Sequence, residues 1–128
     1  MNYRTNPEWQ VQVRALTNNA GVAHVLEVGG QETLPRALQV LAPGGHIALI
    51  GGLTGFVETM PVDRLIGFGG SVTGIYVGSR ADFEAMNAFI TRQRLKPVID
   101  RVFRFEETQV AYDYMRTDAH LGKIVIAW

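Results

Sequence analysis

No cysteine occurs among the 128 residues. Disulfides, thiol catalysis and cysteine-based zinc sites are therefore excluded within the chain. An excess of charge is also lacking, since twelve Lys and Arg balance twelve Asp and Glu. Without that excess the sequence carries no electrostatic footprint of a nucleic-acid or acidic-membrane binder. The ten arginines and two lysines are scattered and form no run. Histidine is scarce: His24, His46 and His120 lie far apart, with no i,i+4 pair. No apolar run approaches the roughly 18 residues of a membrane span. Met1-Asn2-Tyr3-Arg4 opens no signal peptide. No Ser-His-Asp set, metal cluster or paired-carboxylate site is visible. These absences leave the expectation of a soluble, cytoplasmic domain without a catalytic constellation of its own.

Glycine, by contrast, is abundant. Its fourteen copies include four doublets, Gly29-Gly30, Gly44-Gly45, Gly51-Gly52 and Gly69-Gly70, each beside an apolar run. Doublets at the ends of apolar runs indicate backbone turns approached closely by either another chain segment or a ligand. The length is that of about one domain. With 47% hydrophobic and 19% charged residues, the chain has the apolar material for a core.

The runs alternate in period. Residues 7–19 read as a helix with Trp9, Val13 and Leu16 on one face. Residues 22–28 (VAHVLEV) read as a strand ending at Gly29-Gly30. Residues 31–42 return to helical spacing, with Leu34, Leu38 and Leu41 on one side and Thr33 as N-cap. Pro43-Gly44-Gly45 is expected to stop that helix before a second strand, residues 46–50, that ends at Gly51-Gly52. Strand, helix, strand with short connections is a βαβ unit and implies a parallel sheet. Residues 61–68 suggest a short helix and residues 71–77 a third strand. Ser79 and Asp82 fit a capping box for a helix to about Leu95, with Phe83, Met86, Phe89 and Ile90 inward. An extended segment within residues 98–105, a helix over 106–117 and a strand over 123–127 close the chain. The reading is an α/β protein.

The phrases GVAHVLEVGG, LAPGGHIALIGGLTG, GIYVGSR, LKPVIDRVF and LGKIVIAW resemble, in order and spacing, the medium-chain dehydrogenase/reductase superfamily. The likeness points in particular to its zinc-type alcohol dehydrogenases and quinone-oxidoreductase-like members. It implies the second half of a Rossmann-like, doubly wound parallel sheet with a C-terminal β-α-β tail. The family fingerprint G-x-G-x-x-G is missing: Gly67-Phe68-Gly69 starts it, but Val72 stands where the third glycine belongs. Asn2-Tyr3-Arg4 resembles the tail of the family's third strand. On this resemblance residues 1–97 are part of an NAD(P)-binding domain. Residues 98–128 are the segment that returns toward a catalytic domain, and any zinc belongs to that other half.

Ligands of a doubly wound sheet bind outside the carboxyl ends of its strands. That rule selects Val28, Gly29 and Gly30; Ile50, Gly51, Gly52, Leu53 and Thr54; and Ile75, Tyr76 and Val77. The resemblance implies that they line the ribose and nicotinamide of NAD or NADP, although plain turns, and simple packing for Tyr76, stand beside it as readings. Lys123 matches the family's GK phrase near the cofactor diphosphate, or is a solvated strand-start lysine. His24 and His46 read as strand residues. Asp82 and Glu84 read as helix N-terminal charges, and Glu27 either finds a partner or faces the cleft.

The family's strand order 3-2-1-4-5-6 leaves this chain with strands 4 to 6 and an open edge on the first of them. A homo-oligomer is therefore expected, through residues 71–77 or the open edge of residues 22–28, with no nucleic acid and no membrane. The functional expectation is a partial cofactor-binding domain of an NAD(P)-dependent oxidoreductase, inactive alone and holding no metal. The alternative is a non-enzymatic dimerisation module that keeps the fold without the ligand.

Overall fold

The structure is a computed structural model that describes Tyr3, residues 5–56 and residues 59–128. Two compact units form, Met1–Val77 and Gly78–Trp128. The break lies upstream of the 97/98 boundary drawn from the family resemblance. Asn2 and Arg4, expected in the tail of a preceding strand, lie outside the described residues, and Tyr3 is in a turn.

In the first unit the elements follow as α1 (Trp9–Leu16), β1 (Val22–Glu27), α2 (Leu34–Val40), β2 (Leu41–Leu49), α3 (Val62–Phe68) and β3 (Ser71–Gly74). The strands pair in the order β1-β2-β3, both pairs parallel, with β1 and β3 at the edges. Alternation along each strand decides which face is covered. Val25, Ile47, Leu49 and Val72 turn toward α2, where Leu34, Ala37 and Leu38 join Leu41 and Ile47 in the buried core. Trp9 from α1 and Leu65 from α3 pack around that cluster. Leu34, Leu38, Leu41 and Ile47 are each fully buried, and such a side chain stabilises by about 1.5–3 kcal/mol. His24, His46 and Ser71 are register partners in a row across the three strands.

Three expectations need correction here. Strand β2 begins at Leu41 rather than His46, because Leu41 is already extended at φ −64° and ψ 133°. The register jumps from Val22–Leu41 to His24–His46, so Pro43-Gly44-Gly45 bulges out of the strand instead of merely ending the helix. Thr33 does stand at the N-cap of α2, but its hydroxyl makes no capping bond because it is given to Glu27. The third strand stops at Gly74; residues 75–77 carry no strand pairing beyond one bond from the Ile75 N–H to the Leu49 carbonyl (2.8 Å).

The second unit contains α4 (Arg80–Gln93), β4 (Ile99–Arg104), a 3-10 turn (Phe105–Glu107), α5 (Thr108–Arg116) and β5 (Lys123–Ala127). The expected capping box opens α4: Asp82 N–H donates to the Ser79 hydroxyl, and Ser79 N–H donates to the Asp82 carboxylate. The Ser79 hydroxyl, which also donates to the Asp82 carboxylate (2.7 Å), and then the Ser79 amide hold the Asp82 carboxyl below its usual range. Glu84 pairs with Arg80 at 2.8 Å, a surface pair one helical turn apart. Of the four residues expected inward on α4, Phe83, Met86 and Phe89 are exposed and Ile90 is half-buried.

Strands β4 and β5 run parallel with α5 between them in sequence, the β-α-β tail expected from the resemblance. Phe103 and Ala111 are its buried apolar residues. The Tyr114 hydroxyl donates to Asp100 (2.9 Å), which also accepts from the Leu121 N–H (3.1 Å). The Leu121 amide, then the Tyr114 hydroxyl, hold the Asp100 carboxyl below its ordinary range, and the same carboxylate pushes the Tyr114 phenol up. Among the described residues no helix is long and apolar enough to cross a membrane.

Candidate functional site

The carboxyl ends of β1 and β2 lead into two glycine turns that are laced to each other. Thr54 N–H and its hydroxyl both donate to the Gly29 carbonyl, at 2.7 and 2.9 Å. The same hydroxyl accepts the Glu32 N–H at 3.0 Å, and Gln31 N–H donates to the Gly55 carbonyl at 3.0 Å. The Glu27 carbonyl receives the Ile50 and Gly51 amides, at 2.8 and 3.3 Å.

Glycine is required where these turns meet. Gly30 sits at φ 92°, and a Cβ there would lie 2.3 Å from the Gly55 carbonyl oxygen and 2.7 Å from Gly52 Cα. A neighbouring chain segment therefore approaches this doublet closely at Gly30.

Glu27 is the residue whose role was least visible in sequence. It is buried, 4% exposed, on the core side of β1. Its Oε1 accepts the Gly29 N–H (2.8 Å), the Gly30 N–H (2.9 Å) and the Thr33 hydroxyl. A carboxylate removed from water needs such charge-assisted partners. A glutamate in an apolar strand, two residues before a glycine doublet and six before a threonine, was the available signal.

Two clefts open beside the laced turns. One, of about 480 Å³, is lined by Gly30, Leu49, Ile50, Gly51, Gly55, Phe56, Gly74, Ile75 and Tyr76, at the carboxyl ends of β2 and β3. The other, of about 640 Å³, lies along β1 and gathers Trp9, Val25, Val28, Gly29, Leu53 and Thr54. Of the residues singled out in sequence, Gly30, Ile50, Gly51, Ile75 and Tyr76 meet in the first cleft, and Val28, Gly29, Leu53 and Thr54 in the second. Gly52 lies under the turn against Gly55 and Phe56. Tyr76 is 91% exposed and so does not simply pack. Val77 is exposed at the end of the unit. Lys123 belongs to the other unit, where its backbone N–H joins β5 to the Val98 carbonyl (2.8 Å).

A sequence profile of zinc-binding dehydrogenases matches residues 1–126. The chain belongs to that family. It is 37% identical to a zinc-type alcohol dehydrogenase-like protein of Schizosaccharomyces pombe, over 98% of this chain but 38% of the relative. An NAD-dependent alcohol dehydrogenase of Sulfolobus acidocaldarius is 26% identical over 97% of this chain and 36% of its own. Among solved structures, a Sinorhizobium meliloti protein described as an alcohol dehydrogenase superposes with a TM-score of 0.86 at 37% identity, covering 98% of this chain and 36% of that one. The chain thus spans little more than a third of the relatives it matches, and it corresponds to the C-terminal part of the medium-chain superfamily.

The family's two usual groups fit this chain differently. For zinc, the sequence has no cysteine, and no three His, Asp or Glu side chains gather among the described residues. His24 and His46 are cross-strand neighbours with ring centroids 6.4 Å apart, and His46 Nδ1 is 3.0 Å from the Ser71 hydroxyl. That donor set does not fit a zinc site. For a dinucleotide, the cleft at the ends of β2 and β3 has the apolar, backbone-rich lining suited to its uncharged parts. The Gly29 and Gly30 amides are already committed to Glu27, so this turn is unsuited to a phosphate.

Proposed function

We propose that the chain is the cofactor-domain portion of an NAD(P)-dependent oxidoreductase of alcohol dehydrogenase or quinone reductase type. Its first unit would form one wall of the dinucleotide site. Val28, Gly29 and Gly30, Ile50 to Thr54, and Ile75 to Val77 would offer backbone and small apolar contacts to ribose and nicotinamide. Hydride transfer is the cofactor's chemistry, and the protein's part is to hold and orient it. Catalytic groups and any zinc are assigned to sequence outside these residues, so the chain alone is expected to be inactive. The observation that carries the reading is the family match from end to end of the chain, with the clefts at the carboxyl ends of parallel strands.

The test is a chimera in which residues 5–128 replace the matching segment of the Sinorhizobium meliloti protein. Saturable NADH or NADPH binding by the chimera, measured by calorimetry, is the expected result. A folded chimera that binds neither refutes the proposal. The isolated chain should bind neither nucleotide up to millimolar concentration, because one wall leaves most of the ligand in water. The dimerisation-module alternative has no observation in its favour. Self-association is nevertheless part of the proposal, because β1 and β3 are unpaired edges. Light scattering that finds a monomer at micromolar concentration removes that part. A cytoplasmic location belongs to the same reading and is checked by cell fractionation.

A further inference from the structure

We infer that Glu27 is the positioning residue of this wall, an internal anion that occupies the β1–α2 turn where a phosphate would otherwise be received. The inference rests on the cofactor-wall reading above and deepens it by naming the residue that sets the shape of the turn.

Successive backbone N–H groups converging in a turn form a concavity that attracts anions. Here the Gly29 and Gly30 N–H groups converge on one point, and that point is Glu27 Oε1, at 2.8 and 2.9 Å. Thr33 adds its hydroxyl to the same oxygen. The arrangement is self-consistent down to the residue types. Holding Thr33 against Glu27 brings its Oγ1 to 2.2 Å from where a Gly29 Cβ would stand, so only glycine fits. The Glu27 carbonyl meanwhile fixes Ile50 and Gly51 at the end of β2. One buried residue therefore sets both turns, its side chain holding the first and its backbone the second.

The consequence is selective. With its amides turned inward to Glu27 and the Gly29 carbonyl taken by Thr54, the turn lines the β1 cleft with Val28, Leu53 and Thr54. That backbone offers a phosphate no N–H donor and suits a neutral or apolar ligand portion; among the described residues the cleft's one cation, Arg36, is 3.6 Å from Glu8. A glutamine at position 27 can still accept the amides; an alanine leaves the buried Gly30 and the half-buried Gly29 N–H groups without that partner.

The experiment uses amide exchange and nitrogen–proton spectra of the 128-residue chain, with the Sinorhizobium meliloti chimera for binding. In Glu27→Ala the Gly29 and Gly30 amides should exchange at least about tenfold faster, the scale set by losing hydrogen bonds to a charged acceptor. In Glu27→Gln both should stay protected, which rescues the turn without the charge. Inorganic phosphate should leave both amides of the unsubstituted chain unshifted. In the chimera, Glu27→Ala should weaken nucleotide binding at least about tenfold and Glu27→Gln should restore most of it. Unchanged exchange in Glu27→Ala, or phosphate-shifted amides in the unsubstituted chain, overturns the inference. A chimera that binds nucleotide equally well with alanine at 27 overturns the positioning role alone. A chimera that binds none before substitution takes down the proposed function and this role together.

Discussion

Substituting Gly30 with alanine separates the two reasons a glycine is needed, and Gly44 supplies the control. Both have positive φ, 92° at Gly30 and 70° at Gly44. A side chain at Gly44 would meet nothing within 4 Å, so Gly44→Ala bears conformational strain alone. That strain is about 1–2 kcal/mol for an L-residue in the left-handed region. At Gly30 the added methyl would stand 2.3 Å from the Gly55 oxygen and 2.7 Å from Gly52 Cα, both backbone atoms. Backbone cannot swing aside as a flexible side chain can, and overpacking of this kind costs a further ~1–3 kcal/mol. Gly30→Ala should therefore lose about 2–5 kcal/mol in all, a large share of the ~5–15 kcal/mol that holds a typical domain.

Urea unfolding followed by tryptophan fluorescence reads the difference. Trp9 packs against the core of the first unit, whereas Trp128 is fully exposed and reports little. A Trp128→Phe background leaves Trp9 as sole reporter. The expected result is a midpoint lowered by Gly30→Ala clearly more than by Gly44→Ala, with similar slopes. Equal losses at the two positions would refute the claim that loop-to-loop contact, rather than φ alone, demands glycine at position 30.

Leu38→Ala should cost about 2–5 kcal/mol by the same fluorescence assay, since Leu38 is 1% exposed at the centre of the first unit's core; a loss below this range would mean the core collapses around the cavity. Tyr114→Phe should raise the Asp100 carboxyl toward its ordinary value, followed by carbon NMR through a pH titration, and an unmoved titration would deny the hydroxyl's influence. Because Asp100 titrates lower folded than unfolded, its contribution is present above the unfolded carboxylate value and fades as pH falls through the folded one. Ser79→Ala should likewise raise the Asp82 titration and fray the start of α4, visible as faster amide exchange there. Dialysis against a chelator should leave the thermal midpoint unchanged, because the described residues assemble no three-ligand metal site.

Much of the architecture was legible in local pattern. The short apolar runs at residues 22–28 and 123–127 and the Ser79–Asp82 box are set by neighbours within a few residues, and β5 and α4 start where those signals stand. Leu34 and Leu38 share one side of α2 and are buried as expected, whereas Leu41 is buried from β2. The start of β2 was not legible. Proline and two glycines normally end an element, and only pairing with Val22 keeps Leu41 in the sheet ahead of the bulge. The inward side assigned to α4 failed for a related reason: spacing tells which residues share a face, but not whether anything covers it.

By itself the sequence determined the α/β class, the parallel βαβ order, the missing dinucleotide fingerprint and the family. All of these are read from runs, spacings and residue types close together in the chain. The tertiary structure alone decided why Gly30 cannot carry a side chain and that Glu27 ties the end of β1 to the end of β2. Those answers depend on distances between segments many residues apart: Gly30 against Gly55, and Glu27's carbonyl against Ile50. A local pattern can require a small residue or a buried charge, but only the folded chain brings up the atoms that make it necessary.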